Sequence, residues 1–175
     1  MRKLTILAAL LVLMPAMAHA DPMTKTGWRG WGPRVGVTID PDQIHFGAHV
    51  DFGNFAEHIR FQPNLEVGIG DDLTIFAINL EAAYRFQSRW DVWTPYLGGG
   101  LGVNFINYDS HEDFKGNMMA DAASHADDSD TELGVNLLGG IEKGLRNGHR
   151  FFLEAKLGLA DSPDFKVTAG WTFFH

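Results

Sequence analysis

A period of two runs through this chain from about Trp31 to its last residues, and it constrains the fold more than any other feature. Two stretches carry it most plainly. Between positions 43 and 52, Ile44, Phe46, Ala48, Val50 and Phe52 alternate with Gln43, His45, Gly47, His49 and Asp51. At the end, FKVTAGWTFFH places Phe165, Val167, Ala169, Trp171 and Phe173 on one side and Lys166, Thr168, Gly170, Thr172 and Phe174 on the other. Successive side chains of a strand point to opposite faces, so each stretch reads as a strand with one apolar and one mostly polar face. A helix would not need such a pattern.

The same alternation predicts six more strands, over about 31–39, 59–69, 73–86, 93–108, 132–143 and 150–159. Pro63 falls inside the third predicted strand, where proline normally marks an edge, yet the alternation continues through it. Asp40-Pro41-Asp42, Gly53-Asn54, Gly70-Asp71-Asp72 and Arg146-Asn147-Gly148-His149 supply the turn chemistry between strands. The segment 109–130 is long, acidic and rich in Ala, Ser and Asp, and reads as a loop.

Charge decides which face points inward. Arg34, Arg60, Glu66, Glu81, Arg85, Glu142, Glu154, Lys156 and Lys166 all fall on the face opposite the apolar one. A water-soluble barrel buries its apolar face and leaves charge outside. Aromatic placement argues for the reverse. Trp31, Phe52, Phe61, Tyr84, Phe86, Trp93, Phe151, Trp171 and Phe173 gather at one set of strand ends, with Phe46, Phe105, Tyr108 and Phe165 as a thinner ring at the other. Aromatic girdles of this kind sit at the two interfaces of a membrane. A cation on the lipid face at the midplane costs about 2–4 kcal/mol, so the charges are expected to face inward. An eight-stranded lumen is only wide enough to be filled by side chains, and the nine charged residues are therefore expected to form a structural charge network across it. The fold class that follows is all-β: an eight-stranded antiparallel up-and-down transmembrane β-barrel.

The first twenty residues read as a cleaved secretory signal peptide: Arg2 and Lys3, then an apolar run over 4–17, then Ala18-His19-Ala20 in the small-x-small cleavage pattern. Residues 21–30 are expected to be a periplasmic lead-in and 31–175 the barrel domain. Removing the leader takes the formal net charge from −8 to −10, since Arg2 and Lys3 leave with it. An acidic chain with no basic tract argues against nucleic acid as a partner. The chain has no cysteine, so no disulfide framework exists. After the leader, no apolar run approaches the ~18 residues of a spanning helix. With the amino terminus in the periplasm, the turns near Pro41, Asp71 and Ser162 and the 109–130 loop are expected to lie outside the cell, at the outer membrane.

The strand pattern, the stretch Tyr96-Leu97-Gly98-Gly99-Gly100-Leu101-Gly102 and the closing strand together resemble the small outer-membrane β-barrel family that includes OmpA- and OmpX-type proteins. The resemblance covers essentially all of 31–175. It implies that the closing strand carries a signal for the barrel-assembly machinery, with Gly170, Trp171, Phe173 and His175 in the matching positions. The chain ends in His175 where the family usually has Phe. The family mixes adhesion, resistance and lipid-modifying members, so the resemblance selects no single activity.

Two constellations could carry chemistry. Ser110, His111, Glu112 and Asp113 stand at the top of the fifth predicted strand, the height at which a lipid A-modifying barrel would place a Ser, a His and an acid. Adjacent residues of an extended chain point in opposite directions, so these form no triad without a bend. His111, Asp113, His125, Asp127, Asp128 and Asp130 are metal-ligating types without zinc or calcium spacing. His45 and His49 share the inward face but lie about 13 Å apart along a strand, which makes them lumen hydrogen-bonders rather than joint ligands. No catalytic residue, metal or cofactor is therefore assigned. The leading expectation is an outer-membrane barrel with a structural or surface-interaction role. Its expected partners are outer-membrane lipid, the assembly machinery and a surface partner at loop 109–130. The alternatives are a lipid A-modifying enzyme and a narrow channel for small molecules.

Overall fold

The computed structural model describes residues 26–70, 73–87, 90–108, 129–159 and 165–175. Nine β-segments follow one another: β1 (Thr26–Ile39), β2 (Gln43–Ala56), β3 (Ile59–Phe61), β4 (Asn64–Gly70), β5 (Leu73–Arg85), β6 (Thr94–Tyr108), β7 (Ser129–Gly144), β8 (Arg150–Gly158) and β9 (Phe165–Phe174). Each pairs antiparallel with its neighbours, and β1 pairs with both β2 and β9, so the sheet has no free edge. β3 and β4 are two halves of one stave, both lying between β2 and β5. The result is a closed eight-stranded antiparallel barrel.

Pro63 explains the split stave. It cannot donate a backbone hydrogen bond, and the ladder is interrupted at Gln62 and Pro63. The wall nevertheless stays closed there. The Pro63 carbonyl accepts from the Val50 N–H at 3.0 Å, and the Gln62 N–H donates to the Glu81 carbonyl at 2.8 Å. The in–out phase survives the break: Arg60, Gln62, Asn64 and Glu66 are all buried.

Four limits differ from the sequence expectation. β2 runs on to Ala56 rather than ending near Phe52, so the expected Gly53-Asn54 turn lies within the strand, where Gly53 takes a φ of 74° beside a register shift, and the chain turns at 57–58 instead. β1 begins at Thr26 rather than Trp31, so residues 26–30 of the expected lead-in are strand, with Gly30 opposite Asp51 on one side and Phe174 on the other. β7 begins at Ser129, and the last two residues of the expected 109–130 loop pair with Asn107 and Ile106. Backbone pairing along a barrel wall tolerates polar residues that a side-chain pattern reads as loop. Phe86 lies just past β5. Residues 1–25 and 109–128 lie outside the described residues, so the leader, the rest of the lead-in and most of the long loop do too.

The barrel is inverted relative to a soluble one. Val35, Val37, Ile44, Phe46, Leu65, Leu101, Leu137 and Trp171 are exposed on the outer wall, whereas Arg34, Glu66, Glu81, Glu142, Glu154 and Lys156 are buried inside. Small apolar groups complete the interior: Ala83, Tyr96, Leu138 and Phe152 toward the end holding the carboxyl terminus, and Ile75, Ala77 and Ile106 toward the far end. Aromatic rings link up around the terminal end. Trp31 meets Phe173, Phe52 meets Phe61, Tyr84 meets Phe86, and Trp93, Phe151 and Trp171 form a run, with centroids 4.5–6.2 Å apart. At the far end Phe76 meets Phe105 at 6.1 Å.

Candidate functional site

The lumen holds two ionic clusters, one near mid-height and one at the terminal end. Arg34, from β1, sits at the heart of the first. Its Nε is 3.1 Å from Glu66, its Nη1 3.5 Å from Glu81 and its Nη2 2.7 Å from Glu154. Lys156 reaches the same three carboxylates: Glu66 at 3.1 Å, Glu154 at 3.8 Å and Glu81 in close contact. Lys166 closes the set on the second oxygen of Glu66 at 3.1 Å. Three cations thus meet three anions contributed by β1, β4, β5, β8 and β9. Charges removed from water persist only when paired and hydrogen-bonded, and strand alternation delivers both signs to the same height.

Neutral groups surround this cluster. Tyr96 donates to the second oxygen of Glu154 at 3.0 Å. His45 is hydrogen-bonded to Thr38 at 3.0 Å and to Thr168 at 2.9 Å, and His49 to Thr172 at 2.9 Å. Phe152 lies edge-on to His49 and 5.7 Å from the Arg34 guanidinium. It fits because Gly170 faces it: a Cβ there would lie 2.4 Å from the ring. Gly100 likewise leaves room for Glu81, whose Cγ would be 2.8 Å from an added Cβ. The gap between Arg60, Gln62, Glu81, Ala83, Leu138 and Glu154 is too small to admit a water molecule.

The second cluster is built on Glu142, from β7. Arg60 donates to it at 2.6 Å, Arg85 contacts its other oxygen closely, and the Arg150 Nε stands 3.6 Å away. Arg150 also grips Asp51, whose other oxygen accepts from the Gly53 N–H at 2.7 Å. Two guanidiniums lie over aromatic faces, Arg60 over Tyr96 at 4.7 Å and Arg150 over Phe174 at 4.9 Å. This cluster floors a cavity of about 660 Å³ at the terminal mouth, whose lining also includes Arg29, Asp91, Thr94 and His149.

All nine residues of the expected charge network are in these two clusters. Eight are buried; Arg85 is the exception, its side chain 35% exposed. The expected charge network does not include Asp51, Arg150, Tyr96 or Phe152, although the alternation already puts Asp51 on the inward face. Each has the inward phase of its strand, so parity alone finds them; Arg150 is the first residue of β8, beside the turn. In the closing strand, Trp171 packs on Phe151 on the outer wall, and Phe173 touches Trp31 and His149. The His175 N–H donates to the Arg29 carbonyl at 3.3 Å, and its Nε2 accepts from the Trp28 indole at 2.9 Å. The terminal histidine thereby fastens the β1–β9 seam. Ser110, His111, Glu112, Asp113, His125, Asp127 and Asp128 lie outside the described residues. Asp130 is an exposed residue of β7, and no metal-binding group of three or more His, Asp or Glu residues occurs among the described residues.

No protein-family model and no curated protein matches this chain. Solved structures do. The crystal structure of neisserial surface protein A aligns with a TM-score of 0.61 at 13% identity, covering 85% of this chain and 96% of that one. The N-terminal β-barrel domain of Pseudomonas aeruginosa OprF aligns with a TM-score of 0.53 at 14% identity, covering 84% and 99%. At such identities the likeness is one of fold, and the fold this chain shares with them is the closed eight-stranded antiparallel barrel.

Proposed function

We propose that this chain is an integral outer-membrane β-barrel of the small, OmpA- and OmpX-like kind, serving as a structural or surface-interacting protein through the loops of its far end. One observation carries the reading: the polarity of the barrel is reversed, with a continuous apolar outer wall around a buried ionic interior. In water that wall would be a very large exposed apolar patch, a liability that soluble monomers avoid. In a bilayer the same wall is solvated by lipid, the closed sheet pairs its strands' backbone groups with one another, and the aromatic rings at the two ends fall at headgroup level.

A lumen plugged near mid-height by paired side chains supports a scaffold over a conducting channel. The seam held by Trp28, Arg29 and His175, and the Gly170–Phe152 fit, give the closing strand a structural reason for its composition beside the expected role in recognition by the assembly machinery.

The test is direct. After expression with its own leader, the protein is expected in the outer-membrane fraction, migrating faster in detergent gels before heating than after. Recovery as a freely soluble periplasmic product overturns the reading. The refolded barrel in planar bilayers should give no steady conductance; a stable single-channel current would favour the channel instead. Unchanged lipid A mass on expression is expected, and a shifted mass would favour the enzyme. Deleting residues 111–126 should leave the gel shift intact, because lengthening or shortening a flexible loop changes closure entropy only slowly, while abolishing any binding that the loop mediates.

A further inference from the structure

The terminal mouth has more positive character than its own acids consume. Arg29, Arg60, Arg85 and Arg150 line its cavity against Asp51, Asp91 and Glu142, in a chain whose overall charge is strongly negative. The three guanidiniums of the floor, Arg60, Arg85 and Arg150, bring about fifteen N–H donors, whereas Asp51 and Glu142 can accept about eight hydrogen bonds. One acceptor site on Asp51 is already taken by the Gly53 N–H. The surplus is visible. Arg60 and Arg150 are both more than nine-tenths buried and line the cavity; the Nε of each, like Glu142 Oε1, is enclosed without a hydrogen-bond partner, so the excess that the mouth can offer is one of charge, four arginines to three carboxylates. At the rim, no carboxylate among the described residues lies within 4.0 Å of the charged group of Arg29.

We infer that this mouth is a binding site for an oxyanion of the phosphate class. Guanidiniums are the side chains best shaped to take such a group, since their planar forks match its oxygens in pairs. The 660 Å³ volume falls in the range of ligand pockets, about 300–1,000 Å³. Phe174 and Tyr96, stacked beneath Arg150 and Arg60, hold two of the forks in place before any ligand arrives. The anion would sit between the exposed Arg29, the half-buried Arg85 and the buried pair below, adding negative charge to a lining in which four arginines face three carboxylates. The inference stands on the mouth alone and does not depend on the function proposed for the far-end loops.

The experiment titrates inorganic phosphate into the folded full chain in a phosphate-free maltoside detergent. Ionic strength is held with sodium chloride so that simple screening is common to every point. Calorimetry is expected to show one saturable site. The variant carrying both Arg29→Gln and Arg85→Gln should bind at least tenfold more weakly while keeping the heat-dependent gel shift, which reports the barrel separately. Absence of saturable binding, equal affinity in the double variant, or an equal saturable heat when chloride is titrated in place of phosphate at the same ionic strength, overturns the proposal. Competition then distinguishes the source: displacement of phosphate by short-chain phosphatidylglycerol identifies a lipid headgroup, and its failure to compete identifies a free solute.

Discussion

The two ionic clusters both pair basic side chains with carboxylates in the same lumen and come to opposite ends. Near mid-height, Arg34, Lys156 and Lys166 face Glu66, Glu81 and Glu154, with signs balanced, and the gap that borders Glu81 and Glu154 is too small for a water molecule. At the terminal end, Arg60, Arg85 and Arg150 face only Glu142 and Asp51, and the cluster opens onto a cavity. Stoichiometry and hydration together decide the outcome. A balanced set away from water acts as a plug, because each charge is held only by its partners. An unbalanced set at a wet mouth keeps donors to spare and becomes a surface for something else.

Breaking the plug should have the largest effect. Arg34→Ala removes the one residue that touches all three central carboxylates with a separate nitrogen each, leaving Lys156 and Lys166 to hold them. Removing one partner from a buried ionic set costs about 3–5 kcal/mol. A loss of that size in urea unfolding of the refolded barrel is expected; a loss under about 1 kcal/mol would mean that water enters and solvates the orphaned acids, and that the centre is no drier than the mouth.

A smaller effect should follow from crowding the plug without touching its charges. In Gly170→Ala the new methyl meets the Phe152 ring, and overpacking of this kind costs about 1–3 kcal/mol. Phe152→Leu in the same chain should recover part of the loss, which a thermodynamic cycle on the refolded protein measures. The comparison also separates two roles of the closing strand. If Gly170→Ala refolds with unchanged stability in detergent but fails to reach the membrane in cells, the glycine serves assembly rather than packing.

Much of this was legible in the sequence because a strand's period of two is rigid. A single residue's slip would turn every side chain to the wrong face, so the alternation through Ile44, Phe46 and Ala48, or through Arg60, Gln62 and Glu66 across Pro63, fixed the inside and the outside together. It could not tell which inward acid meets which inward base. Arg34 and Glu154 lie 120 residues apart, and their meeting depends on barrel stagger, which no local pattern encodes. Strand ends were illegible for a different reason. At Thr26 and at Ser129 the chain is already paired by backbone hydrogen bonds, to which side-chain polarity is blind. The unequal stoichiometry of the two clusters was hidden because it depends on which inward charges share a height, and barrel stagger sets that too.

The gentlest perturbation tests the wet cluster alone. Arg85→Gln deletes a charge whose side chain is already 35% exposed, and whose partner Glu142 keeps Arg60 at 2.6 Å. Water can solvate what the lost guanidinium leaves behind, so the stability change should resemble that of a surface ion pair, about 0–1 kcal/mol. Conductance should stay at zero as well, because the closure lies deeper, where Arg60, Gln62 and Glu81 meet Leu138 and Glu154. A loss near that of Arg34→Ala would show that the terminal cluster is as dry and as tightly held as the central one. A current appearing in Arg85→Gln would show instead that the mouth, and not the middle, seals the barrel, since widening a vestibule above an intact plug has no path to open.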